Sequence, residues 1–234
     1  MNDTGRPQFR IREVLSASWK VFTDNFVVLF VAHLLFSLIV STAASVLPLV
    51  GGILLSGPLW YGLAFLALAA VRGAPVRMED LFLGFQRFAP TMLAGVYMSL
   101  FALAGALLLA VPAVFAVLAA WMTGSVIIIS MTFSVACVLC LVPACAVVVL
   151  YAPAFFLMHD RGLEAWPALQ ASKAIVTANL RQWLIVWAGL SILHLAGLLL
   201  CCVGTYVATP WMIVALAIAY ERERAAPPAV PGAR

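Results

Sequence analysis

What this chain lacks is charge: only 9% of its 234 residues are Asp, Glu, Lys or Arg, while 65% are hydrophobic. A soluble globular domain carries about 25% charged residues. This composition, with a mean hydropathy of +1.12, therefore excludes a chain that hides its apolar surface in one soluble core. The shortage is concentrated in long runs. Residues 26–47 and 183–200 contain no charged side chain, and each can cross a hydrocarbon layer, which takes roughly 20 apolar residues as a helix. All nine acidic residues, Asp3, Glu13, Asp24, Glu79, Asp80, Asp160, Glu164, Glu221 and Glu223, fall outside such runs. Ion-coupled transporters and pumps keep an ionisable group near the membrane midplane. Its lack here disfavours that class, but not the passage of lipids or neutral solutes.

Reactive groups are scarce as well. The three histidines are His33, His159 and His194. His33 and His194 lie within apolar runs, where an imidazole ordinarily makes one interhelical hydrogen bond. His159-Asp160 is read as part of an exposed loop, because no nucleophile at a defined spacing accompanies it. Cys137 and Cys140 have a CxxC spacing but no nearby His or carboxylate, so they read as small buried hydrophobes rather than a zinc or redox site. Cys201 and Cys202 adjoin an external turn, where neighbouring cysteines could bridge each other only with strain. Ser37, Ser99, Thr132 and Ser191 read as close-packed or back-bonded positions within helices. Without a convergent nucleophile, base and orienting group, the expectation is a protein that is not an enzyme and has no cofactor or metal.

What is present is a repeated layout. The 13 Lys and Arg residues fall in the N-terminus, in two long connectors near 72–90 and 159–181, and in the C-terminus; none falls in the three short turns. The positive-inside rule then places both termini and both connectors in the cytoplasm. The net charge of +4 follows from this bias. The cations are too sparse to form a nucleic-acid-binding stripe, so no nucleic-acid partner is expected.

Three units, at about 9–71, 78–158 and 163–220, each run from an amphipathic segment into two apolar spans. In the first, Arg12, Glu13, Ser16, Lys20 and Thr23 share one helical side, opposite Ile11, Val14, Leu15, Val21 and Phe22. In the second, Leu81, Phe82, Phe85 and Phe88 share a side. In the third, Gln170, Lys173, Thr177 and Arg181 form a polar stripe. Such helices lie in the membrane interface. A cleaved signal peptide is disfavoured, because the first apolar run begins late, is too long, and is followed at once by a second.

The fold class expected is all-α: a polytopic membrane protein with six transmembrane helices in three hairpins, each preceded by an interfacial amphipathic helix, with both termini inside. Residues 1–8 form a flexible start, 9–224 a single membrane domain and 225–234 a disordered tail. Units one and three also share residues. Ala17-Ser18, Thr23 and Asn25 match Ala171-Ser172, Thr177 and Asn179 at one offset, which makes these parallel repeats.

Four prolines fall within spans: Pro58, Pro112, Pro143 and Pro210. Proline removes a backbone donor and crowds the preceding turn, so they are candidate helix breaks lining a cavity. The candidate lipid-headgroup contacts are Arg12, Lys20, Arg77, Arg87, Lys173 and Arg181, all on or beside the interfacial segments.

The segments GPLWYG (57–62), GAPVRMEDLFLGF (73–85), YAPAFFLMHD (151–160) and ALQASKAIVTANLRQWL (168–184) give the chain a likeness. It resembles a group of uncharacterised bacterial six-helix inner-membrane proteins, related to the membrane domain fused to some glycerophosphodiester phosphodiesterases. The resemblance covers nearly the whole chain from Phe9 to Glu223. It implies six spans and brings no catalytic residues, and the phosphodiesterase domain has no counterpart here. The expected function is a non-enzymatic inner-membrane module that binds membrane lipids, another membrane protein or itself. The rival is a transporter or flippase of a lipid or neutral apolar solute.

Overall fold

Apolar runs without strand-like alternation become helices, and the computed structural model is helical throughout. It describes residues 11–48, 50–199 and 203–225, and contains no strand among them. The order is α1 (Ile11–Asp24), α2 (Phe26–Val46), α3 (Gly51–Val71), a 3-10 turn (Met78–Phe82), α4 (Leu83–Gln86), α5 (Phe88–Trp121), α6 (Val126–Tyr151), α7 (Ala154–Arg161), α8 (Ala165–Ala178), α9 (Leu180–Leu199) and α10 (Val203–Arg224). The segments 1–10 and 226–234, Cys201, Cys202 and the side chain of Cys140 lie outside the described residues. The expectations made for them are therefore not addressed.

Among the described residues, four helices are long and apolar enough to cross a membrane: Phe26–Val46, Gly51–Val71, Phe88–Trp121 and Val126–Arg161. A fifth is reached by counting α8 and α9 as one bent span, and these two meet at 96°. The ends of α9 and α10 dilute their apolarity. The first carries Arg181 and Gln182, and the second closes on Glu221-Arg222-Glu223-Arg224.

Helices α3 and α10 form the centre. Leu59, Leu66 and Ala67 of α3 and Val214, Ala215 and Ala217 of α10 are fully buried. Around them pack α1, α2, α5, α7 and α9, and the consecutive pairs α2 with α3, α5 with α6, and α9 with α10 are in contact. The far half of α5 and the near half of α6 leave this centre and pack mainly on each other, with Leu108, Phe115, Trp121, Val126 and Ile127 exposed. At about 1.5 Å per residue, the 34-residue α5 is roughly 51 Å long, well beyond the ~30 Å hydrocarbon layer. Cys137 is exposed on α6, as is Cys145, which for Cys137 corrects the expectation of a small buried hydrophobe.

The amphipathic helices α1 and α8 repeat at atomic detail. Val14, Ser18 and Phe22 are the buried residues of α1, and Ala168, Ser172 and Val176 stand at the matching places in α8. Thr23 Oγ1 donates to the carbonyls of Trp19 and Lys20, as Thr177 Oγ1 does to Lys173 and Ala174. Each of the three units then breaks at one residue before its first long helix. The breaks are Asn25 (φ −117, ψ 21), Arg87 (φ −119, ψ 48) and Asn179 (φ −137, ψ 41). The same backbone state recurs at all three, including the middle unit, where no residue match is visible.

The prolines do not break their helices. Pro58, Pro112, Pro143 and Pro210 each lie inside a continuous helix, because one lost hydrogen bond is tolerated when neighbouring groups compensate. Pro58 instead marks a close helix crossing. A Cβ on Gly84 would come within 2.0 Å of the Pro58 carbonyl, and one on Gly62 would sit 1.8 Å from the Leu81 carbonyl. Only glycine lets these backbones approach so closely, and the crossing joins segment 57–62 to segment 73–85.

Candidate functional site

The ends of α3, α7 and α10 meet in a charged cluster. Arg72, just past α3, donates from Nη2 to Asp160 Oδ2 at 2.7 Å and from Nε to Glu221 Oε1 at 2.7 Å. Asp160 also accepts from Arg224 Nη1 and from the Tyr220 hydroxyl, both at 3.0 Å. Its side chain is only 8% exposed. This corrects the reading of His159-Asp160 as an exposed loop. Asp160 lies beyond the apolar part of its helix, which ends at Met158. Burial alone would push its carboxyl up, but hydrogen bonds from Arg72, Arg224 and Tyr220 outweigh that and hold it down at about 2. The carboxylate is therefore ionised at any working pH, and the cluster is a permanent clamp rather than a switch. His159, next to it, has Nδ1 3.4 Å from the Tyr61 hydroxyl and its ring edge against Phe65. No group of three or more potential metal ligands occurs among the described residues.

The six cations expected at headgroups divide. Arg12, Lys20, Arg77, Lys173 and Arg181 are exposed, and among the described residues none has an ion-pair partner. Arg12 and Lys20 lie on α1, Lys173 on α8 and Arg181 at the start of α9, while Arg77 opens the turn leading to α4. Arg87 departs from the set and corrects that expectation. Its guanidinium donates to the carbonyls of Met158 and Gly162, each at 3.1 Å, and approaches Glu164. There it satisfies orphan carbonyls at the C-terminus of α7. That helix stops at Gly162, whose φ of 61° suits glycine.

Two buried serines fix α1 and α8 to the bundle. Trp211 Nε1 of α10 donates to Ser18 Oγ at 2.8 Å, and Ser172 Oγ donates to the Leu150 carbonyl of α6 at 2.8 Å. Asn179, at the break after α8, donates to Glu223 Oε1 at 2.7 Å.

Beneath the charged cluster lies a half-enclosed cavity of about 290 Å³ where the three units join. Its walls come from α3 (Ser56, Trp60, Ala64), α5 (Gly95, Met98, Ser99, Ala102), α6 and α7 (Ala144, Val148, Phe155, Phe156), α9 (Trp187) and α10 (Thr209, Met212, Leu216). No charged side chain lines it. Pro58, Pro112, Pro143 and Pro210 are not in its walls either, contrary to expectation. Pro58 is buried in the crossing described above, Pro112 is exposed on α5, and Pro143 packs against Gly105.

His33 and His194 do not make the interhelical bond expected of their Nδ1 atoms, which are buried without a partner. His33 is instead packed between the rings of Phe36 and Tyr206. Sequence reasoning missed the charged clamp, because its members are separated by 88 and 149 positions. It also missed the cavity, which exists only where the three units meet. Comparison with protein-family models, curated proteins and solved structures finds no match to this chain.

Proposed function

We propose that the protein is a non-enzymatic integral membrane module of the bacterial inner membrane that binds anionic lipid headgroups through its interfacial helices. Helices α2, α3, α5, α6, α9 and α10 would cross as three hairpins, with both termini cytoplasmic. The contacts between consecutive helices support this, as does the meeting of the ends of α3, α7 and α10 at one charged cluster. The 96° turn from α8 into α9 is what a surface helix feeding a span requires. Membership of the six-helix family remains part of the same proposal.

The observation that carries the lipid reading is the division among the cations. Arg72, Arg87, Arg222 and Arg224 are held by carboxylates, whereas Arg12, Lys20, Arg77, Lys173 and Arg181 point outward without a counter-ion among the described residues. A basic residue near an anionic membrane surface contributes about 1 kcal/mol. The test is retention of anionic lipid by the purified protein in native mass spectrometry. Lys173→Gln with Arg181→Gln should lower it several-fold, and unchanged retention would sink the reading. A transporter or flippase of a lipid or neutral apolar solute is the second reading, favoured by the uncharged cavity between the units.

A further inference from the structure

Many hydroxyls inside the helices of this protein bond back to their own helix. Ser37 donates to the His33 carbonyl, Ser56 to Ile53, Ser130 to Ile127 and Thr132 to Ile128. Thr42, Ser99, Ser191 and Thr209 do not; Thr42 and Ser191 are exposed, which leaves Ser99 and Thr209 as the half-buried pair. Neither hydroxyl has a protein partner among the described residues, and both stand in the wall of the cavity. The indole N–H of Trp187, another wall residue, is buried without an acceptor among the described residues. Reading Ser99 as a back-bonded position therefore fails where the cavity is.

Depth narrows the occupant. Measured along the helices at about 1.5 Å per residue, the cavity runs from roughly 6 Å below Asp160, at Phe156, to roughly 22 Å below the end of α3, at Ser56. Ser99 lies about 16 Å from the start of α5, and Thr209 about 18 Å before Glu221. These depths are near the middle of a ~30 Å hydrocarbon layer. A phospholipid of the cytoplasmic leaflet keeps its phosphate and ester groups at the surface and would offer the two hydroxyls only methylenes. A charged ligand is excluded by the uncharged walls. At about 290 Å³ the space is at the lower limit of small-molecule sites, with room for the oxygen-bearing part of one chain and not for two chains side by side. The cavity is half open rather than sealed, so the rest of a chain can extend out of it.

From this geometry we infer that the cavity is a binding site for one uncharged, single-chain lipid bearing an oxygen function such as a hydroxyl or carbonyl. Its chain lies against Met98, Phe155 and Leu216, and its oxygen bonds the hydroxyls of Ser99 and Thr209. Small residues make the room, with Ala64, Gly95, Ala102 and Ala144 all in the wall. The site is built by all three units and needs none of the surface cations, so it stands or falls separately from headgroup binding.

The test is photolabelling of the full-length protein in nanodiscs with a diazirine-bearing hexadecan-1-ol, followed by peptide mapping. Labelling is expected to saturate on the α5 and α10 peptides around Ser99 and Thr209. Excess hexadecan-1-ol should compete, while hexadecane and hexadecanoate at pH 8 should not. The near-isosteric pair Ser99→Ala and Thr209→Val should weaken competition by the alcohol roughly fivefold to tenfold, the effect of losing one or two hydrogen bonds. Ala144→Trp, which fills the space, should abolish saturable labelling. Unsaturable labelling spread along the exposed α5–α6 surface would overturn the site. Equal competition by hexadecane, or an unaffected Ser99/Thr209 variant, would overturn the role of the hydroxyls.

Discussion

Arg72 and Asp160, 88 positions apart in sequence, are joined at 2.7 Å, and that bond links the end of the first unit to the end of the second. Glu221 on the same guanidinium brings in the third. The carboxylate of Asp160 is only 8% exposed, and its charge is shared by Arg72, Arg224 and Tyr220, so its removal weakens three charge-assisted hydrogen bonds while Arg72 keeps Glu221. Asp160→Asn should therefore destabilise the protein by about 1–3 kcal/mol, less than a fully buried pair because Arg72 remains 32% exposed. Thermal unfolding in nanodiscs would measure it.

The pH dependence of that loss follows from the depressed carboxyl. A carboxyl held at about 2 in the folded state contributes stability that is fully present above its unfolded value near 3.9 and is lost as pH falls through about 2. The gap in melting temperature between the wild type and Asp160→Asn should accordingly be constant from pH 5 to 8. A gap that closes within this window would show that Asp160 titrates there.

The helix crossing at Pro58 and Leu81 leaves no room for a side chain. Gly62→Val or Gly84→Val should cost about 2–4 kcal/mol through forced separation of the backbones. Gly52→Ala, where a Cβ would come closest to the Ala44 side chain at 3.3 Å, a tight contact that a small shift relieves, should cost much less than either. The yield of monodisperse protein and its melting temperature would separate the two cases.

Ser18 and Ser172 hold equivalent places in the first and third units, and each makes one bond to a different helix. Ser18→Ala and Ser172→Ala should each cost about 1 kcal/mol, the net worth of one such hydrogen bond. The double variant should show the sum, since the bonds share no partner. Equilibrium unfolding of the two single variants and the double variant tests this.

The near equality of those two serines was legible in the chain, because Ala17-Ser18 and Ala171-Ser172 fall at one offset within amphipathic segments. The long apolar helices were legible too, since run length and lack of charge decide them. What could not be read came from contacts between distant segments. Nothing near Asp160 in sequence announces Arg72, Tyr220 and Arg224 as its partners. Arg87 looked like its exposed neighbours until the C-terminus of α7 came within reach. The prolines suggested breaks, but tertiary packing carried the helices through them. Ser99 and Thr209 carry no local signal, because a hydroxyl in an apolar run looks the same whether or not it bonds back.

The central claim is that the segments preceding the three hairpins, α1, the turn and short helix at 78–86, and α8, share one cytoplasmic headgroup layer. The most direct measurement is impermeant-thiol labelling of single cysteines in a cysteine-replaced background, in bacterial spheroplasts. Lys20→Cys, Arg77→Cys and Lys173→Cys sample the three units, and Ser125→Cys samples the turn between α5 and α6. The account predicts that the first three react only after the inner membrane is permeabilised, while Ser125→Cys reacts in intact spheroplasts. Reaction of any of the three from outside, or of Ser125→Cys only from inside, would contradict it.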